Sequence, residues 1–197
     1  MNLKYGYFKA FFDALDHYNV FDPEIKNSIH SLLEKQHFNK GELILKKGEN
    51  NENIYFINTG ILRGFMNYNE KEITTWLAGS GSFASSISSF FGSKLSKESI
   101  LVLENSFLVS ISKSNIELLF KTHPETFIIY TKIIENYYFL ANERVFLSKL
   151  PTSKDRYEYL VNSNAFDHIS DIPNKYLAEY LGIAPETLSR LLKLINN

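Results

Sequence analysis

The stretch Pro173-Asn174-Lys175-Tyr176-Leu177-Ala178-Glu179-Tyr180-Leu181-Gly182-Ile183-Ala184-Pro185-Glu186-Thr187-Leu188-Ser189-Arg190 decides how the chain is read. Asp171 stands just before Pro173, a residue suited to a first helical position, and a helix is expected over 173–180. Leu177 and Ala178 form its buried side, and the small Ala178 lets a second helix come close. Gly182 sits where the chain must turn left-handed, and Ile183 plugs the turn. Pro185 opens a second helix over 186–195, in which Leu188, Leu191 and Leu192 return to the core. This leaves Glu186, Thr187, Ser189, Arg190 and Lys193 facing out. The pattern is that of a helix-turn-helix, whose second helix can enter a major groove. Glu186 can accept from cytosine N4, and Arg190 can grip guanine O6 and N7. Four residues apart, they share a helix face. Asn174 and Lys175 begin the supporting helix, where backbone N–H groups and the helix dipole favour a phosphate. The competing reading is an ordinary helical hairpin with Glu186 and Arg190 as a surface pair.

Working towards the N-terminus, Thr152 or Ser153 can cap a short helix over 154–161. Before it, Phe127, Tyr130, Ile134, Tyr138, Ala141, Val145 and Ser148 step by three and four between Pro124 and Pro151. Some 25 residues make a helix of about 38 Å, longer than a small β-barrel is wide. Ile128, Ile133, Tyr137 and Phe146 add apolar residues off that stripe, and a helix apolar on more than one face needs more than one partner. A second chain alongside is the economical reading, and the alternative is a helix folded onto its own barrel. From Gly41 to Ser112 the period changes. Short runs at 43–45, 54–57, 62–68, 72–77, 99–103 and 107–111 alternate with Gly-containing turns, which suggests an antiparallel sandwich or barrel. The Ser/Gly-rich segment 80–98 breaks both periods and reads as a long loop inside the β domain. Residues 1–38 read as helical, with Asp22 as N-cap before Pro23.

Composition sets the outer bounds. The 197 residues carry 21 Lys+Arg against 22 Asp+Glu, a net charge of −1, with 44% hydrophobic residues and no cysteine. This argues against disorder. Zero cysteine excludes disulfides, cysteine nucleophiles, iron–sulfur clusters and Cys-ligated zinc. Apolar runs such as 127–130 are far shorter than the roughly 20 residues that cross a bilayer. Met1 to Val20 is broken by Lys4, Lys9, Asp13 and Asp16 and does not read as a signal peptide. A soluble, cytoplasmic protein is expected. The near-neutral charge stands against nucleic-acid binding. Residues 151–197 hold five Lys+Arg and six Asp+Glu, so no basic domain hides in the total.

The order of these segments resembles the CRP/FNR family of bacterial transcription regulators, the relatives of the cyclic-AMP receptor protein. The similarity spans roughly residues 20–195. It is carried by Gly41-Glu42, Lys47-Gly48-Glu49 and the run Ile54 to Gly60, then by the long helix and the helix-turn-helix. The segment Ile172 to Arg190 resembles that of a short Bacteroidetes-type subgroup. The resemblance implies an α+β fold with three parts. N-terminal helices and an antiparallel β-roll, a cyclic-nucleotide-binding-like jelly roll, take 1–123. A central dimerisation helix takes 124–150, and a helix-turn-helix DNA-binding domain takes 151–197. It further implies a homodimer on a pseudo-palindromic site of double-stranded DNA, with RNA polymerase as a further partner. The DNA-binding set is then Asn174, Lys175, Glu186, Thr187, Ser189, Arg190 and Lys193. The dimer helix presents Phe127, Tyr130, Ile134, Tyr138, Ala141 and Val145.

The chain departs from the family where cyclic nucleotide binds. The family's Gly-Glu pair for the ribose falls near Ala84 and Ser85. Its Arg-Ser pair for the phosphate falls on Glu98 and Ser99, and a carboxylate there repels phosphate. The polar Thr-Ser pair that meets adenine becomes Ala141-Asn142. Cyclic nucleotide is therefore not the expected effector. Haem-type sensors use His or Cys, and His17, His30, His37, His123 and His168 are scattered. A metal-dependent cupin enzyme needs a His-x-His pair and a Glu, and no such pair exists. No catalytic set, metal or cofactor is expected. The remaining pocket reading takes Trp76, Phe83, Ser85, Ser99, Tyr137, Tyr138 and Asn142 around an apolar or aromatic effector. The plainer alternative is that these rings, with Phe90 and Phe91, fill the core. In the recognition helix, Pro185 replaces the usual Arg before the Glu and removes one guanine contact. The chain stops at Asn197, before the strands that follow in the family. The functional alternative is a ligand-binding or protein-interaction β-roll that no longer binds DNA.

Overall fold

The computed structural model describes residues 6–92, 94–163 and 169–195. Met1 to Tyr5, Asp167, His168 and Asn197 therefore lie outside the described residues.

The chain is α+β. Eight antiparallel strands among the described residues form two four-stranded sheets that face each other as a β-roll. Strands β1 (Glu34–Phe38), β3 (Asn53–Thr59), β6 (Phe83–Ala84) and β8 (Ser106–Ser112) make one sheet, in the order β1-β8-β3-β6. Strands β2 (Leu43–Leu45), β4 (Leu62–Tyr68), β5 (Lys71–Ala78) and β7 (Ser99–Val102) make the other, in the order β2-β7-β4-β5. Leu45, Tyr55, Ile57, Leu62, Ile100, Val102 and Leu108 fill the space between them. On β3 the alternate residues Ile54 and Phe56 point the other way, into a layer of helices, so the strand is buried on both faces. This explains the uninterrupted apolar run there, since only a strand covered on both sides can be apolar throughout.

Those helices are α1 (Lys9–Tyr18) and α2 (Pro23–Ser31). Phe8, Phe11, Phe12, Leu15, Ile25 and Ile29 pack on Phe56, Val109 and Ile111. Asp22 caps α2 by accepting from the Glu24 N–H at 2.8 Å, ahead of Pro23. The helical reading of residues 34–38 is corrected: they form β1 and pair with β8, from Glu34 opposite Ser110 to Phe38 opposite Ser106. An edge strand with no fully buried residue carries little apolar alternation, so its sequence hides the strand. The Tyr7 hydroxyl pins this edge, donating to the Gln36 and Leu108 carbonyls at 3.2 and 3.1 Å.

The segment 80–98 is not one long loop. It holds β6 and α3 (Ile87–Gly92), ordered by serines rather than by apolar periodicity. Ser85 Oγ donates to the Asn53 carbonyl, Ser89 Oγ to the Lys94 carbonyl, and Ser86 and Ser96 join side chain to side chain. Helix α4 (Lys113–Thr122) follows β8, N-capped by the Ser112 hydroxyl. After a short 3-10 turn at Pro124–Thr126 comes α5 (Phe127–Lys149), whose 23 residues span about 35 Å. Thr152 and Asp155 then form a capping box that starts α6 (Ser153–Asn162). Helices α7 (Asn174–Leu181) and α8 (Pro185–Ile195) complete the chain.

Candidate nucleic-acid interface and effector recess

Two adjoining arrangements carry the chemistry. The first is the α7–turn–α8 unit. Gly182 ends α7 with φ 64 and ψ 37, a left-handed conformation that a side chain disfavours. Its N–H donates to the Glu179 carbonyl, and the Ile183 N–H reaches back to the Ala178 carbonyl, the two bonds of a Schellman ending. Arg156 locks the turn from outside: its guanidinium donates to the carbonyls of Leu150, Leu181 and Gly182. Ala178 and Leu188 are fully buried where the two helices meet, with Leu177, Leu181 and Ile172 around them. On the outer side Glu186, Ser189, Arg190 and Lys193 are exposed and Thr187 is half-buried. Asn174 and Lys175 are exposed in the first turn of α7, with Lys175 Nζ 5.3 Å from the Tyr176 ring. Among the described residues Glu186 and Arg190 form no ion pair with each other, so neither charge is consumed inside the helix.

This unit is seated on the β-roll through Arg63 of β4. Arg63 is fully buried. Its Nε donates to Thr74 Oγ at 2.8 Å, one terminal nitrogen to Glu72 at 2.7 Å, and the other to Glu179 of α7 at 2.8 Å. Thr74 in turn donates to the same Glu179 oxygen at 2.7 Å. The guanidinium lies between two rings, 4.4 Å from Phe65 and 4.3 Å from Tyr176. Planar and always charged, guanidinium suits both the forked bonds and the stacking. Ile61, Leu77 and Leu103 of the roll continue this contact into the apolar core of α6, α7 and α8.

The second arrangement is a recess on the other side of β4 and β5, closed by α5. It has a volume of about 590 Å³ and is open to solvent. From the roll it is lined by Met66, Thr75, Trp76, Ser85 and Glu98, and from the helix by Tyr137, Arg144 and Val145. Trp76 lies flat on Gly64, where any Cβ would strike its indole. A bulge explains why one strand serves both arrangements. Gly64 pairs with Trp76 but Phe65 pairs with Thr74, so Thr75 is the extra residue. It sends Thr74 towards α7 and Trp76 towards the recess, the re-aiming that bulges bring about.

Of the seven residues expected around an effector, Trp76, Ser85 and Tyr137 come together here. The other four stand elsewhere. Phe83 packs against Phe11 and Phe56 in the helix layer. Ser99 accepts from the Lys47 N–H at the end of β2. Tyr138 is 64% exposed on the far side of α5, and Asn142 is exposed beside it. Phe90 and Phe91 also belong to the helix-layer core. A further cavity in that layer, about 60 Å³ and apolar, is too small for a metabolite. Glu98, which the sequence put at the family's phosphate position, lines this recess, and so does Arg144, which was not among the expected residues. The Glu98 carboxylate, 7% exposed by residue, accepts from the Trp76 indole N–H at 2.9 Å and lies 3.4 Å from the Thr75 hydroxyl. Burial pushes the Tyr137 hydroxyl pKa up, with the Glu98 charge adding to the rise and the Ser85 carbonyl and Arg144 opposing it.

On the outer face of α5, Phe127, Ile134, Tyr138 and Val145 are 50%, 38%, 64% and 59% exposed, so the helix leaves a continuous apolar stripe uncovered by its own chain. Tyr130 is half-buried among Phe91, Phe120 and Phe127, and Ala141 lines the recess. No group of three His, Cys, Asp or Glu among the described residues could hold a metal ion. His30 and His37 pack on aromatic rings, and His123 bonds to Ser28. No helix of the described residues is long and apolar enough to cross a membrane.

Residues 35–123 match the model of the cyclic nucleotide-binding domain. The structure of FixK2 from Bradyrhizobium japonicum superposes with a TM-score of 0.71 at 15% identity, over 83% of this chain and 84% of that one. CLP of Xanthomonas campestris, a c-di-GMP responsive global regulator, superposes with a TM-score of 0.67 at 16% identity, over 89% and 92%. A Eubacterium rectale protein described as a CRP/FNR-family transcriptional regulator gives 0.66 at 17%, over 96% and 87%. The chain has the CRP/FNR fold. At such identities the likeness speaks for architecture alone. No curated protein matches the sequence.

Proposed function

We propose that this protein is a dimeric, sequence-specific DNA-binding transcription regulator acting in the cytoplasm, with a sensory β-roll that does not respond to cyclic nucleotide. The observation that carries this reading is the α7–α8 unit, in which Glu186 and Arg190 share an exposed face while Gly182 and Ala178 fix the helix crossing. Placed in a major groove, Arg190 reads guanine and Glu186 reads cytosine. Asn174 and Lys175 hold a phosphate at the α7 N-terminus. Thr187, Ser189 and Lys193 border the same face. Two protomers joined along α5 by Phe127, Tyr130, Ile134, Tyr138, Ala141 and Val145 set the recognition helices about one DNA turn apart, roughly 34 Å. RNA polymerase is the partner such a regulator engages next. An effector in the recess shifts the population of α5 packings and with it that spacing.

Glu98 supports the exclusion of cyclic nucleotide, since it puts a buried carboxylate where the family resemblance places a phosphate. The near-neutral charge sets the expectation of modest affinity with a shallow salt dependence. Fluorescence polarisation with labelled operator DNA tests the assignment of roles. Arg190→Ala is expected to cost about 1–3 kcal/mol and to relax specificity at one base pair per half-site. Unchanged base preference contradicts that role. Lys175→Ala is expected to weaken binding to all sequences alike and to lower the salt slope by about one. A loss confined to particular sequences contradicts a phosphate contact.

A further inference from the structure

We propose that the recess between β5 and α5 binds a small zwitterion of the α-amino-acid type: its amine on Glu98, its anionic group on Arg144, and its apolar body against the wall of the recess. The inference rests on reading the β-roll as an effector domain and names the ligand class of that site. Glu98 is nine-tenths buried, yet the described residues supply its carboxylate with hydrogen bonds on one oxygen only, from the Trp76 indole and, at longer range, the Thr75 hydroxyl. An ionised carboxylate has about four acceptor sites, and burying it is costly without a counter-charge. Arg144 lines the same recess, forms no ion pair with Glu98, and has no ion-pair partner among the described residues. Opposite charges thus face one space without meeting. Met66, Trp76, Ile87 and Val145 supply an apolar wall to the same recess. The volume of about 590 Å³ lies within the range of roughly 300–1,000 Å³ that small-molecule sites occupy. Val145 also belongs to the exposed stripe of α5, so the recess and that stripe meet at one residue.

Trp76 is the only tryptophan of the chain and a wall of this site, so its fluorescence reports occupancy directly. The full chain is titrated, without DNA, with phenylalanine, phenylethylamine, phenylpropionate and cyclic AMP. The expected result is a saturable change that is tightest for phenylalanine, which alone carries both charges. Glu98→Gln keeps an acceptor for Trp76 and preserves the fold. It is expected to weaken phenylalanine about tenfold or more while leaving phenylpropionate unchanged. Arg144→Gln is expected to weaken phenylalanine and leave phenylethylamine unchanged. The proposal is overturned if no probe gives a saturable change, if phenylpropionate or cyclic AMP binds as tightly as phenylalanine, or if neither variant alters the order. Because no DNA is present, these results are independent of the DNA-binding assays and leave that reading standing or falling on its own.

Discussion

Arg63→Ala lowers the melting temperature by about 10 °C and releases α7 from the β-roll. Removing one partner of a buried ion pair costs about 3–5 kcal/mol. Here the partner side chains are part-exposed, Glu179 at 22% and Glu72 at 44%, which moves the expectation to the lower end, about 3 kcal/mol. For a chain of this size each kcal/mol shifts the melting temperature by about 2–4 °C. The alanine also opens the space between the Phe65 and Tyr176 rings and leaves Thr74 without its donor. Hydrogen exchange locates the effect: amides of 174–181 should exchange faster than those of β3, whose core does not touch Arg63. A double-mutant cycle with Glu179→Gln should give a coupling of about 1–3 kcal/mol, because the two share one network. A melting temperature within 2 °C or so of the parent would show that apolar packing alone seats the helix-turn-helix.

The second large effect is on assembly. Tyr138→Asp combined with Val145→Asp converts the protein to a monomer and lowers operator affinity by about a hundredfold or more, since two half-sites can no longer be held at once. Both side chains are more than half exposed, so the fold of the single chain loses little. In a dimer each still has about 1 kcal/mol of burial to gain, and an aspartate there faces its symmetry mate. Sedimentation at micromolar concentration measures the first outcome and polarisation the second, with circular dichroism confirming retained helix. A variant that remains dimeric places the interface elsewhere than on this stripe.

What the sequence disclosed depended on how local each signal was. The helix-turn-helix was legible because Ala178, Gly182, Ile183 and Pro185 act within one short stretch of chain. The capping residues Asp22 and Thr152 and the two ends of α5 were readable for the same reason. Strand β1 was not, because its polar edge residues Glu34, Lys35 and Gln36 give no alternation. Helix α4 passed unread although Ser112, Ile116 and Leu119 carry a cap and an apolar spacing. Arg63 was invisible for a different reason: its partner Glu179 lies 116 residues away. Its signal was a charge inside the apolar run Ile61-Leu62-Arg63-Gly64-Phe65. Such a residue needs a counter-charge from elsewhere in the fold. The recess was half legible. Trp76, Ser85 and Tyr137 were among the expected residues, while the Thr75 bulge that aims Trp76 required the register of β4 and β5, and the sharing of one recess by Glu98 and Arg144 required the packing of α5 on the roll.

Whether paired α8 helices read DNA is decided by selecting fragments from a random double-stranded library with the purified protein and sequencing those retained. Such recognition enriches an inverted repeat whose half-site centres lie about one helical turn, some 10 base pairs, apart, each with a guanine that Arg190→Ala ceases to require. Retained fragments with no shared sequence, or a single unrepeated motif indifferent to Arg190, would contradict it.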